Sequence, residues 1–222
     1  MKSELIKKYR KIFIMGTWIH NHLQLQNKLH LPKSNSLLAG VVILKNTKLK
    51  IKGNNNEIVI DDYTRLNNCR IVIMGNNNKV FIGKNCSLNG TEIHIEDSYN
   101  TISIGEKTTI QGKTHLAAIE GTKISIGEDC MLSSDIHITT GDSHSIIDLE
   151  NNRINPSKDI KIGNHVWIGT KVTCLKNTEI ADNCIVGATA TVCGKHLKPN
   201  CIISGVPAKV LKENISWLRQ RI

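Results

Sequence analysis

The sequence predicts an all-β fold, a solenoid of stacked three-sided coils, and three observations carry that prediction. Ile60, Ile82, Ile104 and Ile126 follow one another at a constant step of 22 residues, and a fixed period of this size marks a repeat architecture. Asparagine-rich turns keep the same step, from Gly53-Asn54-Asn55-Asn56 to Gly75-Asn76-Asn77-Asn78 and on to Asp97-Ser98-Tyr99-Asn100. Further along, the stride shortens to six at Ile162, Ile168, Cys174, Ile180, Val186 and Val192.

Each six-residue unit reads as one short strand and one corner, with its aliphatic residue pointing inward. Three units make a coil of about 18 residues, and stacked coils share one core. Coils of 22 carry their extra residues in the asparagine turns, where Asn and Gly accept the left-handed backbone conformation at low cost. The position four after each lead residue is small or compact: Thr64, Cys86, Thr108, Cys130, Val166, Val172, Cys184 and Ala190. Cysteines at such positions read as core fillers and not as ligands. None of the 7 cysteines forms a Cys-x-x-Cys pair.

The elements follow in chain order. Residues 1–39 are an N-terminal helical cap segment, basic and amphipathic at its start. Ile6, Tyr9 and Phe13 share one helical face, while Lys7, Lys8, Arg10 and Lys11 lie elsewhere. Such a helix either covers the open end of the solenoid or touches an anionic membrane surface. Residues 40–206 are the solenoid. Its rhythm fails between Ile138 and Ile162, where aliphatic positions are taken by His144, Glu150 and Pro156. The stretch 139–160 is therefore a loop, and irregular segments on rigid scaffolds often carry function. Residues 207–222, with Trp217 and Leu218, read as a closing helix.

Bulk properties narrow the classes. The formal charge of +10 calls for an anionic partner, but the lysines are scattered without interleaved aromatics, which argues against nucleic acid. No run approaches a membrane span, and Met1-Lys2-Ser3-Glu4 does not lead into a signal-peptide core, so a cytoplasmic protein is expected.

Of 9 histidines, His144 stands out as the one in the irregular excursion, and histidine suits proton transfer near neutral pH. Asp142, two residues before it, either orients the imidazole, contacts substrate or simply forms a turn.

Hexapeptide repeats of this kind, over about residues 40–212, resemble the left-handed parallel β-helix acetyltransferases, and the left hand is implied by that resemblance alone. The run Gly141 to Ile146, followed by Ile162-Gly163-Asn164-His165-Val166-Trp167-Ile168-Gly169, is similar to the sugar and capsular-polysaccharide O-acetyltransferases of this fold. The resemblance implies acetyl-CoA as co-substrate, His144 as general base and Trp167 lining the acetyl-CoA site. It implies further cofactor contacts at Thr170 and at Ala188 of the Val186-Gly187-Ala188-Thr189 element. Cys193-Gly194 replaces the family's usual Thr-Lys, which puts a side-chain role there in doubt. Lys209 of Ser204-Gly205-Val206-Pro207-Ala208-Lys209, with Lys212, is implied to face cofactor phosphates. A homotrimer with active sites between subunits and no resident metal are also implied.

Alternatives remain open. His115 and His137 lie 22 residues apart, one coil, and with His144 they offer a zinc set resembling the γ-class carbonic anhydrases. The same pair suits an acceptor pocket equally well. An N-acetyltransferase acting on a nucleotide-linked amino sugar and a non-enzymatic scaffold are the others. The acceptor itself is not legible, although the charge leans toward an anionic glycan such as a sialic-acid-containing polymer.

Overall fold

The computed structural model describes residues 9–222. Ile6, Lys7 and Lys8 of the amphipathic N-terminal stretch lie outside the described residues. The chain winds through three parallel sheets in strict rotation, eight strands in sheet A, eight in sheet B and nine in sheet C. Each strand pairs with its equivalent in the next coil, so Ile58, Val80, Ile102, Ile124 and Ile160 fall into one register. These residues and their counterparts on the other two sheets fill a continuous aliphatic core, nearly all under 5% exposed. The repeat produces this directly, because strand side chains alternate in and out and an equal coil length brings each inward residue over the last.

Corners are turned by residues at positive φ, most of them Asn, Asp or Lys, such as Asn55 (57°), Asn77 (58°) and Asn183 (59°). At Gly75 (φ 152°) a Cβ would overlap the Asp97 carbonyl of the next coil, so only glycine fits.

The four extra residues of the long coils all fall at one place, the corner between sheets A and B. Inside that corner runs a buried polar ladder. Asn35 accepts from Asn56, Asn56 from Asn78 (Nδ2 to Oδ1, 3.0 Å) and Asn78 from Asn100 (3.1 Å). Thr122 then donates from its backbone to Asn100 and from its hydroxyl to Thr140 (2.7 Å). Each amide satisfies backbone groups that the widened corner would leave dry and unpaired.

Six of the seven cysteines are buried and Cys193 alone is exposed. Burial pushes the thiols of Cys86 and Cys130 up to about 11 and that of Cys174 up to about 12. A maleimide at neutral pH is accordingly expected to label one thiol per folded chain, and Cys193→Ser to abolish the labelling. Rapid modification of a second thiol would contradict the core assignment.

The ends differ from expectation in two ways. The helix α1, Arg10–Leu23, is present, and it covers the open end through the buried Asn21, which donates to Val42 O (3.0 Å) and accepts from Leu44 N (3.0 Å). Those bonds stand in for a missing coil at the edge strand Ile43–Lys45. The solenoid nevertheless begins before residue 40, with strands Lys28–Leu29 and Ser36–Ala39 already paired. At the other end the expected closing helix is absent. Ala208–Lys212 is a strand, antiparallel to Ile202–Gly205, and the remaining tail is an extended strap along the corner between sheets B and C. Trp217 stacks on His165 (ring centroids 4.0 Å, 8° apart) and donates from Nε1 to His165 O (2.8 Å). Arg219 reaches Asp129 (2.9 Å), Thr109 (3.0 Å) and Cys130 O (2.8 Å). A segment that finds backbone carbonyls and a carboxylate down three successive coils gains more by lying flat than by coiling on itself.

Candidate active site

The excursion between strands His137–Thr139 and Ile160–Ile162 leaves from the corner of sheets A and B. It is thus the largest expansion of the corner where every long coil carries its extra residues. Asn155, only 7% exposed, organises it. Its Nδ2 donates to His144 O (2.8 Å) and Asp142 Oδ2 (2.8 Å), and its Oδ1 accepts from Ile146 N (2.7 Å). Lys176, from the next coil, bridges Asp142 and Asn155 O. Arg153 pairs with Glu120 at 2.7 Å. Gly141 lies so close to Ser157 and Ile119 that any side chain would displace them. His144 emerges from this braced loop exposed to solvent, with its N–H on Asp142 O (2.8 Å).

The Asp142 carboxylate is therefore engaged with Lys176 and Asn155. Those hydrogen bonds hold its carboxyl below the usual value of 3.8. A depressed carboxylate contributes stability above its unfolded pKa and loses it as pH falls through the folded one. Hydrogen exchange of the Ile146 and Ile154 amides, corrected for intrinsic rate, should lose protection below about pH 4, before the coils do. Equal loss in loop and coils would count against this brace.

Trp167 lies on sheet C, in register with Met131 and Ile185, and is 36% exposed. Trp217 of the strap flanks it at 6.1 Å between ring centroids. At the neighbouring corner, Thr170 donates to Ser134 O (2.9 Å), and Ala188 packs under Gly169 with its own surface exposed. Lys209 and Lys212 project from the closing hairpin. An exposed indole, an accessible corner and two cations on one side suit a long, phosphorylated thioester.

His144 and Trp167 do not meet within one chain, because sheet C is the face opposite the corner that bears the loop. Cys193 and Gly194 also lie at the loop's corner, away from Trp167, Thr170 and Ala188. His115 and His137 stack face to face, 5.0 Å apart and 12° from parallel. Among the described residues of one chain, no group of three or more His, Cys, Asp or Glu is arranged around a metal position. Within one chain His144 does not join that pair in a three-ligand zinc set.

No family model matches the chain. Two solved structures align along most of their length. One is described as the polysialic acid O-acetyltransferase OatWY, at 36% identity over 89% of this chain and 90% of that one, with a TM-score of 0.77. The other is described as the polySia specific acetyltransferase NeuO, at 30% identity over 84% and 79%, with a TM-score of 0.79. The chain belongs to the hexapeptide-repeat acetyltransferases. Like its solved relatives in that family, it is a left-handed β-helix. A curated relative, the polysialic acid O-acetyltransferase of Neisseria meningitidis, is 38% identical over 84 residues, and the match spans 37% of this chain and 39% of that protein.

Two parts of this family member were not legible as site elements. Asn155 falls inside the expected loop but reads there as a turn former before a proline, and Lys176 sits in an ordinary corner, so nothing in the sequence marks Asn155 as the loop's organiser or links Lys176 to it. The Trp217 strap carried one signal, a large aromatic in a charged tail.

Proposed function

We propose that this chain is an acetyl-CoA-dependent O-acetyltransferase whose acceptor is a hydroxyl of an anionic, sialic-acid-containing surface polysaccharide such as a capsule. The observation that carries this reading is the 36% identity to a polysialic acid O-acetyltransferase over 89% of the chain. The +10 charge agrees with a polyanionic acceptor.

In this mechanism His144 takes the proton of the attacking hydroxyl as its oxygen bonds to the acetyl carbon. The thioester C–S bond breaks, and the proton passes from the imidazole to the departing thiolate. Trp167, Thr170 and Ala188 line the acyl-bearing arm, and Lys209 and Lys212 neutralise phosphates. Asp142 fixes the loop, and His115 and His137 face the acceptor. The divergence of His144 and Trp167 in one chain supports a homotrimer in which each site takes its histidine from one copy and its tryptophan from the next. Acetyl-CoA supply accords with a cytoplasmic enzyme. No helix among the described residues is long and apolar enough to cross a membrane.

The test is CoA release from acetyl-CoA in the presence of polysialic acid, a uronic-acid polymer and a neutral glucan. Stimulation by polysialic acid, with acetyl recovered on the polymer, is expected. Absence of release with every glycan, in folded protein, would overturn the reading and turn attention to metal content.

A further inference from the structure

The outward face of sheet A carries one polar column and one mixed column of side chains that run along the solenoid axis. Strand register places Lys28, Lys48, Arg70, Glu92, His115 and His137 one above the next in the first column. The second column holds Lys50, Val72, His94, Ala117 and Thr139. Lys52 stands beside them at the end of its strand. Adjacent strands are about 4.8 Å apart, so the first column is roughly 24 Å long, enough for several sugar units.

The charge along this strip is lopsided. Lys28, Lys48, Lys50, Lys52 and Arg70 are exposed. The two carboxylates already have partners, Glu92 with Arg70 (3.2 Å) and His115 (3.7 Å), and Glu96 with His94 (3.3 Å). Two clefts lie along its later coils. One cleft of about 240 Å³ is bounded by Arg70, Glu92, Lys113 and His115. A second, of about 200 Å³, is bounded by His94, His115, His137 and Ser143. His115 borders both, and Ser143, next to His144 in the chain, lines the second. Burial, and next the neighbouring His137, hold the His115 imidazole below its usual pKa, leaving a neutral ring that offers one donor and one acceptor to sugar hydroxyls.

We propose that this face is the acceptor track: an anionic polysaccharide lies lengthwise on sheet A, held by the cations of the early coils, and delivers a sugar past the histidine stack to His144. The proposal rests on the acetyltransferase reading and extends it from one sugar to a chain. It implies that the enzyme favours long acceptors, because the lysines lie several coils from the chemistry, and that the preference weakens with salt.

The test compares wild type with a triple variant, Lys48→Gln, Lys50→Gln and Lys52→Gln, and with a control carrying Lys79→Gln, Lys123→Gln and Lys161→Gln on sheet B. The readout is the ratio of kcat/KM for polysialic acid of many residues to that for a di- or trisaccharide. The sheet A variant should lose tenfold or more of this ratio, on the order expected for removing electrostatic capture, and the control should keep it. A sheet A variant with an unaltered ratio, or a control that falls equally, would overturn the track. A second readout separates this from the activity reading: retention of His144→Ala protein on immobilised polysialic acid against immobilised dextran, with and without the lysine changes. Lysine-dependent retention without acetyl transfer by wild type would uphold the track and sink the acetyltransferase proposal. Transfer without lysine-dependent retention would do the reverse.

Discussion

Replacing His144 by alanine is expected to lower turnover by about a hundredfold or more, the usual scale for loss of a general base, while acetyl-CoA still binds. The side chain is exposed at the tip of the braced loop, and Asn155 holds the backbone through His144 O and Asp142, contacts that alanine leaves in place. Stability should therefore be unaltered. Trp167→Ala should instead raise the KM for acetyl-CoA, because it removes a surface for the donor and leaves the base intact. The more telling result comes from mixing. In one chain the loop and Trp167 lie on opposite sides of the prism, so the proposed site takes its histidine from one copy and its tryptophan from a neighbour. At acetyl-CoA far below the raised KM, where both variants are nearly inactive, unfolding and reassembling them at equal ratio should restore about a quarter of wild-type activity, the share of heterologous contacts that unite an intact His144 with an intact Trp167. A mixture that stays inactive after verified reassembly would refute the shared site. Wild-type turnover in His144→Ala would refute the base, and His137 would be the next candidate.

The largest expected stability effect lies far from the chemistry. Asn78 is fully buried, and its side chain holds Asn56, Asp97 O, and the backbone and side chain of Asn100 within 2.8–3.1 Å. Alanine there would leave the Asp97 carbonyl and the Asn100 N–H without those partners in a dry corner. At about 1–3 kcal/mol for each orphaned group, Asn78→Ala should cost roughly 2–5 kcal/mol. Asn77→Ala, in the same turn at φ 58°, should cost only about 1–2 kcal/mol from left-handed strain. Urea unfolding of both variants checks the order. Because stacked repeats unfold segmentally, loss of the first coils ahead of the rest is the expected form of the transition. A cost at Asn78 no greater than at Asn77 would mean that the ladder adds little beyond turn geometry.

The sequence shows where the ladder lies without showing that it exists. The asparagine triplets were legible as turns, since Asn tolerates positive φ, and their step of 22 located them correctly. That the third asparagine of each triplet turns inward and bonds to its counterparts was not legible, because composition does not say which side of a corner a side chain faces. The failure of rhythm around His144 was visible for the opposite reason: an aliphatic core position cannot hold His, Glu and Pro in succession without expelling the chain. Trp217 shows the limit. An aromatic among cations suggested a helix, yet the neighbouring coils already offered His165 and Asp129 as docking partners.

By itself the sequence determined the solenoid, the core and the place of the loop, since each is a matter of period along the chain and periodicity is local information, while the resemblance to its family rested on the motifs around His144, Trp167 and Lys209. Only the tertiary structure decided that the loop and Trp167 face apart, that His115 and His137 stack face to face, and that the lysines of the early coils share the face of the histidine stack. Those relations depend on the angle through which each coil turns and on the register between coils, and both are fixed by packing of the whole stack, beyond what any one repeat specifies.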